Sequence, residues 1–240
     1  MTTPATLAEL RDFDTPLIAN TIGYISPVLP HEYYLSGEIQ SVTAPLGPTV
    51  GIAYTIEIDS STPGGKAETE LYWQLLDLMR ASTLPSVLVA KAVGSRPEHE
   101  CMIGDGMAKT LSSVGCIGLV SDGRVRDVPG LISTNFAAYC RGTIAHHAPM
   151  RVRAIQRPVE IGGVMISPGE VIHADHNGVI RVPAECLDDL AVAAVKNRAF
   201  EHEAHMFLRR VDKTPAEKRA HVNELVSKYG FNDCVSARRP

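Results

Sequence analysis

The chain has 240 residues, a formal net charge of -4 and a hydrophobic fraction of 45%. This length suits one large domain, or one domain with an appendage, and it is ample for a sizeable core. The mildly acidic balance lacks the basic surface that nucleic-acid binding requires, so no nucleic-acid partner is expected. No apolar run approaches the roughly 18 residues that span a bilayer, so no membrane partner is expected.

The N-terminus and the cysteines both favour a cytoplasmic protein. Residues 1–10 contain no basic region followed by an apolar segment, so they do not form a secretory signal. The five cysteines are scattered, odd in number and without CxxC spacing. They are therefore interpreted as reduced thiols rather than as a disulfide framework or a zinc site.

The first part of the chain predicts two helices followed by two strands. Residues 6–22 have helical spacing of apolar side chains, and Pro16 divides them, with Asp14 near the cap of the second helix. Strands are expected at residues 38–43 and, more clearly, at residues 51–58, where Ile and Tyr alternate between turn residues.

Helices and strands then alternate through the middle of the chain. A helix is predicted at residues 66–81, with Trp73 in the core, and the apolar run at residues 86–93 predicts a strand buried on both faces. A short helix at residues 107–114 and a buried strand at residues 116–120 follow.

The next predicted elements are a helix at residues 129–139 and a short strand at residues 143–145. This alternation of strand and helix indicates βαβ units with parallel pairing, and therefore an α/β fold.

The last third changes from strands to helices. Residues 157–182 are rich in strands, and Asn177-Gly178 predicts a hairpin turn. A charged helix is expected at residues 197–211, and Thr214 with Glu217 marks the start of a final helix. We therefore expect one α/β domain at residues 1–183 and a helical extension at residues 184–240 that packs at a subunit interface.

The segment Gly104-Asp105-Gly106-Met107 precedes a predicted helix and admits two interpretations. The opening amides of a helix lack internal partners and carry partial positive charge, and glycines allow close approach, so the segment suits a bound carboxylate. The alternative is that Asp105 caps the helix, which is the commoner use of aspartate there. The local pattern alone favours capping.

The polar loop that follows the strand at residues 116–120 carries Asp122-Gly123 and then Arg126-Asp127. Asp-Gly is typical of a turn, so a solvated charge cluster is one interpretation. However, the loop follows a buried strand, and α/β enzymes place ligand-binding residues at that edge. Arg126 can bind a carboxylate or an enolate bidentately, and Asp127 can hold a hard cation such as magnesium.

The histidines are not expected to form a metal site. His173 and His176 lie three residues apart in the predicted hairpin, where alternation places them on opposite faces, so surface or edge positions are favoured. His202 and His205 are expected to be solvated on a C-terminal helix. The chain also lacks a P-loop, a GxGxxG motif and a Ser-His-Asp pattern.

The run from Gly104 to Val128 resembles the signature of the RraA-like family, which includes the class II 4-hydroxy-4-methyl-2-oxoglutarate / 4-carboxy-4-hydroxy-2-oxoadipate aldolases. These aldolases carry an Asp, twenty intervening residues and then Arg-Asp, and Asp105 with Arg126-Asp127 matches that spacing. The block that begins at Pro168-Gly169-Glu170 resembles the family's Pro-Gly-Asp … Asp-x-x-Gly-Val segment. The likeness covers about residues 13–183.

The resemblance implies a swivelling β/β/α-type fold, assembled as a homotrimer or a dimer of trimers with sites at subunit boundaries. By position, Asp127 would bind a divalent metal, Mg2+ or Mn2+, partly through waters. Arg126 would bind the pyruvyl part of the substrate and stabilise its enolate, and Asp105 would act through a water as general base. The backbone that would hold the pyruvyl carboxylate belongs to Gly104, Asp105, Gly106 and Met107.

The resemblance also leaves some positions open. In the aldolases, an acidic residue from a neighbour's C-terminal helix completes the outer shell of the metal, and Glu201 and Glu203 are the candidates here. The family often has two aliphatic residues where this chain has Gly106-Met107, and a Ser-Asp where it has Ala19-Asn20. These departures are expected to alter the substrate pocket and to spare the metal and enolate groups.

Three functions follow as hypotheses. The leading one is a divalent-metal-dependent aldolase that cleaves a 4-hydroxy-2-keto dicarboxylic acid, releases pyruvate and also decarboxylates oxaloacetate, because both reactions give the same enolate. The alternative is a non-catalytic regulator that acts by protein binding, as the RNase E inhibitors of the family do. A methyltransferase, a name attached to some relatives, is not supported, because no glycine-rich nucleotide loop is present.

Overall fold

A computed structural model describes residues 2–44 and 46–231. The α-helices in this part of the chain are α1 (Pro4–Leu10), α2 (Thr15–Ile25), α3 (Glu70–Arg80), α4 (Asp105–Ser112), α5 (Val128–Ser133), α6 (Leu190–Leu208) and α7 (Pro215–Lys228). The strands are β1 (Gln40–Ser41), β2 (Thr49–Asp59), β3 (Ser86–Ala92), β4 (Cys101–Ile103), β5 (Cys116–Ser121), β6 (Arg124–Val125), β7 (Ala137–Cys140), β8 (Arg151–Ile155), β9 (Val159–Ile161), β10 (Val164–Ile166), β11 (Val171–Asp175) and β12 (Gly178–Val182). Short 3-10 helices occur at Pro30–Glu32, Pro97–His99 and Ala184–Cys186.

The main sheet has the strand order β1-β7-β5-β3-β2-β11-β12, and β8 also pairs with β2. The neighbours β7, β5, β3 and β2 run parallel, whereas β1, β11, β12 and β8 join the sheet antiparallel to their partners. The first half of β2 pairs with β11 and its second half with β8. The parallel centre confirms the predicted α/β class, and its apolar strands are buried because helices and hairpins cover both faces.

A separate parallel pair, β4 with β6, lies beyond the ends of β3 and β5. Cys101 is aligned with Arg124 and Ile103 with Val125, and the backbone N–H of Arg126 donates to the carbonyl of Ile103 at 3.1 Å. This small sheet therefore fixes the loop after β4 against the loop after β6, which is where the candidate site lies.

One apolar core, which includes Val87, Val89 and Val120, covers one face of the sheet, and two further cores lie side by side on the opposite face. One of these two packs α3, α4 and α5 against the sheet, with Leu75, Leu111 and Leu131 fully buried. The other joins α1 and α2 to the first half of α6, through residues that include Leu10 and Leu190. The extension thus packs on its own domain through α6, and its packing at a subunit interface stays a prediction.

The final helix, α7, begins as the sequence predicts. Thr214 is its N-cap, and Glu217 completes a reciprocal capping box with it. The carboxylate of Glu203 on α6 binds Lys228 and Tyr229, which ties the two helices together. The fifth cysteine, Cys234, and the rest of the predicted extension from residue 232 onward lie outside the described residues.

Two predicted elements in the middle of the chain were wrong. Helix α5 ends at Ser133 instead of residue 139, because Asn135 adopts a left-handed backbone with φ 53° and the N–H of Phe136 turns back to the carbonyl of Leu131. The chain then forms β7, so the predicted strand at 143–145 is absent from the assigned strands of the described chain. Thr143 makes only an isolated bridge to Val125.

Two side-chain predictions also fail. Trp73 is 54% exposed, because the buried face of α3 consists of Tyr72, Leu75, Leu76 and Met79.

His173 is fully buried rather than at a surface or edge, because α1 and α2 cover β11. Its ring contacts the hydroxyl of Thr15 at 2.9 Å and the carbonyl of Leu10 at 3.1 Å. Burial lowers the pKa of His173.

In the described stretches 2–44 and 46–231, no helix is both long and apolar enough to cross a membrane.

Candidate active site

A cavity of about 410 Å3 lies at the ends of β4 and β6. Its lining comprises Cys101, Met102, Ile103, Gly104, Asp105, Gly106, Met107, Arg126, His147 and Met150. The cavity therefore contains the whole glycine-flanked segment at the start of α4 together with Arg126. Asp127 adjoins Gly104 but does not line the cavity.

Gly104 is the point at which the two predicted segments meet. A Cβ atom built at this position would lie 2.7 Å from Oδ2 of Asp127 and 3.0 Å from Nε of Arg126. A side chain at this position would have to displace these two groups, so the glycine permits their close approach to the backbone. Gly104 is also the N-cap of α4 and makes no side-chain hydrogen bond there, so Asp105 is the first residue of the helix rather than its cap.

Asp127 has an unusual backbone conformation, with φ 57° and ψ 38°. Left-handed geometry costs a non-glycine residue roughly 1 kcal/mol, and such strain is concentrated at functional positions. Asp127 is the N-cap of α5, yet its carboxylate makes no capping hydrogen bond. The side chain is 45% exposed, so its oxygens remain accessible to a ligand.

The guanidinium of Arg126 lies next to this carboxylate. The distance from Nε of Arg126 to Oδ2 of Asp127 is 3.3 Å, which is short enough for an ion pair. Nε is nevertheless buried without a hydrogen-bond partner in the described part of the protein. The arginine is 35% exposed and lines the cavity, so its donors are available to an anion that enters.

Asp105 approaches from the other side of Gly104. Its carboxylate accepts a hydrogen bond from Nζ of Lys109, one helical turn later, at 2.6 Å. This hydrogen bond, together with the charge of Lys109, lowers the pKa of Asp105, so the group is ionised near neutral pH. Gly130 on α5 makes room for it, because a Cβ there would lie 2.5 Å from Cβ of Asp105.

The thiol in the cavity wall is not a candidate nucleophile. Burial raises the pKa of Cys101 to about 11, although the charge of Arg126 opposes this rise. A neutral, buried thiol is a poor nucleophile and a poor metal ligand. Cys101, Cys116, Cys140 and Cys186 are all free and buried, which agrees with the predicted reduced thiols.

Within residues 2–44 and 46–231, no three His, Cys, Asp or Glu side chains converge as a metal site. The two candidates for a neighbour's metal shell, Glu201 and Glu203, do not line the cavity either. Glu203 is engaged by Lys228, which lowers its pKa, whereas Glu201 accepts a hydrogen bond from Asn20 at 3.1 Å. His202 and His205 are exposed, as expected.

The sequence did not reveal three residues at this site. Lys109 is recognisable afterwards from its spacing of four residues from Asp105 on a helix. His147 and Met150 carry no local signal, because the loop after β7 brings them to the cavity from more than twenty residues along the chain.

The fold and the cavity together define an α/β protein with a polar site at a helix N-terminus. The family model described as RraA-like, Aldolase/RraA, matches residues 27–181. This match covers more than half of the chain, and the chain therefore belongs to the RraA-like family.

Curated relatives match parts of the chain. Protein DlpA of Legionella pneumophila is 30% identical over 155 residues, which are 63% of this chain and 24% of that protein. A Halalkalibacterium halodurans protein, named provisionally as a 4-hydroxy-4-methyl-2-oxoglutarate aldolase, is 39% identical over 95 residues, or 39% of this chain and 44% of the relative. The matched part of this chain thus spans less than half of either relative.

Solved structures share the fold. An uncharacterized protein from Pseudomonas syringae superposes with a TM-score of 0.69 at 22% identity, covering 92% of this chain and 95% of that one. RraAS2 of Streptomyces coelicolor, described as an unusual member of the RNase ES inhibitor RraA protein family, has a TM-score of 0.67 at 22% identity, covering 85% and 98%. These likenesses confirm the expected RraA-like α/β fold.

Proposed function

We propose that this protein is a divalent-metal-dependent lyase that cleaves a 4-hydroxy-2-keto dicarboxylic acid and releases pyruvate. The observation that carries the proposal is that Asp105 and Arg126 line one cavity and that Asp127 lies against Gly104, which lines the same cavity. Membership of the RraA-like family and the names of the aldolase relatives support the same activity.

The substrate's pyruvyl end is assigned to the N-terminus of α4. The first amides of the helix, at Asp105, Gly106 and Met107, lack helical partners and suit a carboxylate. Arg126 lies beside them and can donate to the keto oxygen and the carboxylate of the same ligand. As negative charge develops on that oxygen during cleavage, the fixed guanidinium stabilises the enolate.

The bond that breaks joins C3 and C4 of the substrate. The C4 hydroxyl loses its proton through a water to the carboxylate of Asp105, and C4 becomes the carbonyl of the second product. The electron pair of the C3–C4 bond moves onto the pyruvyl unit as an enolate, which takes a proton at C3 to give pyruvate. Loss of carbon dioxide from oxaloacetate leaves the same enolate, so we also propose oxaloacetate decarboxylase activity.

Asp127 fits a magnesium or manganese ion that keeps most of its waters. Its strained backbone directs an uncapped, 45% exposed carboxylate over Gly104, and Mg2+ is commonly bound through one or two carboxylates plus substrate oxygens and water. A divalent cation held there would polarise the substrate's 2-keto group. An acidic residue from a neighbouring subunit would complete the outer shell of the metal, and Glu201 and Glu203 are the two candidates. Glu201 is the better one, because Glu203 is bound by Lys228 and Tyr229.

Pyruvate release from oxaloacetate with magnesium, with and without a chelator, tests the proposal. We expect metal-dependent release that Asp127→Ala lowers by about 10³-fold, because the variant lacks the carboxylate that would hold a cation for stabilisation of the enolate. The variant also controls for the spontaneous decay of oxaloacetate. Asp77→Ala, an exposed aspartate on α3, is the matched control and should behave as wild type.

Pyruvate release by the wild type that is no faster than release with Asp127→Ala would overturn the proposal. In that case the alternative, a regulator that acts by protein binding, would gain weight, since RraAS2 shares the fold and is described as belonging to an inhibitor family. The assembly as a homotrimer or homohexamer belongs to the same proposal, and light scattering of the purified protein tests it.

A further inference from the structure

We propose that a second cavity, next to the active site, binds the distal carboxylate of the substrate and so selects dicarboxylic over monocarboxylic keto acids. This inference rests on the proposed lyase function. The second cavity has a volume of about 500 Å3, and Arg96, His99, His146 and His147 line it together with small apolar residues. His147 lines both cavities, so the two adjoin at this side chain.

The chemistry of the lining suits a carboxylate on a short aliphatic stem. Arginine and histidine supply hydrogen-bond donors, and no aspartate or glutamate lines the second cavity. Pro63, Ile144 and Ala148 provide apolar contacts for the carbon atoms beside the carboxylate.

Arg96 is the principal donor in this proposal. Its guanidinium makes no ion pair or hydrogen bond with the residues that the structure describes, whereas the nearby Arg124 is paired with Glu98. An unpaired arginine in a cavity wall is free to form a charge-assisted bond with an incoming carboxylate.

The loop that carries Arg96 is held in place by hydrogen bonds to the buried polar cluster around Glu100. The backbone N–H of Arg96 donates to Oγ of Ser61 at 3.0 Å, and Ser61 in turn donates to the buried carboxylate of Glu100 at 2.8 Å. A 3-10 helix at Pro97–His99 then sets the position of His99. The backbone that carries the donors is therefore held in place, while the side chains of Arg96 and His99 are exposed.

The opposite wall is hydrogen-bonded to the segment that precedes Arg126. The N–H of Ile144 donates to the carbonyl of Val125, the residue before Arg126, at 2.9 Å, and the N–H of Ala148 donates to Ser60 at 2.7 Å. The imidazole of His147 donates from Nδ1 to the carbonyl of Ala148 at 2.7 Å. These contacts fix the separation between Arg126 and the second cavity, as a subsite for the other end of one substrate requires.

Two substrates that differ only in the distal group test the subsite. In 4-hydroxy-4-methyl-2-oxoglutarate this group is a carboxylate, and in 4-hydroxy-4-methyl-2-oxopentanoate it is a methyl group. We expect Arg96→Met to lower kcat/KM for the first by about 10- to 100-fold, mainly through KM, and to leave the second unchanged, because a charge-assisted bond is worth that factor. Arg96→Lys should restore part of the preference, and Arg219→Met, on exposed α7, is the matched control.

The outcomes separate this inference from the proposed function. If the wild-type protein cleaves the substrates but Arg96→Met changes both equally, or neither, the subsite is overturned and the lyase stands. If the wild type releases pyruvate from neither substrate under conditions in which it binds magnesium, the proposed function fails and the subsite fails with it.

Discussion

Two polar clusters lie at opposite ends of the three-residue strand β4, and they differ in how fully their hydrogen bonds are satisfied. Before the strand, Glu100 is fully buried and accepts hydrogen bonds from the N–H and hydroxyl of Ser60 and from the hydroxyl of Ser61, at 2.7–2.8 Å. After the strand, Asp127 and Arg126 are partly exposed, and the buried Nε of Arg126 has no hydrogen-bond partner among the described residues.

The difference distinguishes polar groups that stabilise the fold from polar groups that are available to a ligand. A buried carboxylate is tolerated only when its oxygens are saturated, as those of Glu100 are. At the other end of β4, Asp127 has a strained backbone and the Nε of Arg126 beside it lacks a hydrogen-bond partner among the described residues. Both features lower the stability of the fold, and neither has a structural role in the contacts described. We infer that the first cluster contributes to folding and the second to function.

After Asp127→Ala, the largest expected effect comes from Arg126→Ala. Activity should fall by about 10²- to 10³-fold because the enolate loses its guanidinium, while the denaturation midpoint stays at the wild-type value. Pyruvate release and urea denaturation of the same preparation provide the measurement. Arg124→Ala, two residues earlier and outside the cavity, is the matched control and should keep most of its activity. A variant of Arg126 that unfolds would place this residue with the structural cluster.

The reverse pattern is expected for Glu100→Ala. Removal of the carboxylate leaves three donors buried without an acceptor, so the free energy of unfolding should fall by about 3 kcal/mol. Glu98→Ala, in the same loop, removes an exposed carboxylate paired with Arg124 and should cost less than about 1 kcal/mol. Chemical denaturation of both variants checks the contrast, and equal losses would show that burial and saturation do not distinguish the two carboxylates.

The same contrast explains which features the sequence could predict. The buried strands β3 and β5 and the Asn177-Gly178 hairpin were predictable because apolar runs and turn residues act locally. The capping box of Thr214 and Glu217 was predictable for the same reason. At the site, the resemblance to the RraA-like family, through the spacing of Asp105 and Arg126-Asp127, pointed to residues that lie close together in the structure, and their roles stay predictions.

Features that depend on distant parts of the chain were missed. The β4–β6 pair, which joins the two site segments, consists of strands of three and two residues that have no periodic pattern. The burial of His173 depends on the N-terminal helices, and the position of His147 depends on the loop after β7. Neither follows from local sequence, because long-range packing overrides local preference.

The smallest expected effect concerns the tuning of Asp105 by Lys109. The lysine holds the pKa of this exposed carboxyl below its usual range, so Lys109→Met should raise it. Because the base must be deprotonated, the acidic limb of the pH profile of kcat/KM should move to higher pH, while the rate at neutral pH changes little. Lys213→Met removes a similar ion pair, between Lys213 and Glu217 at the start of α7, and should leave the pH profile of kcat/KM unchanged. Coincident acidic limbs for wild type and Lys109→Met would mean that Asp105 is not the group whose ionisation limits the reaction.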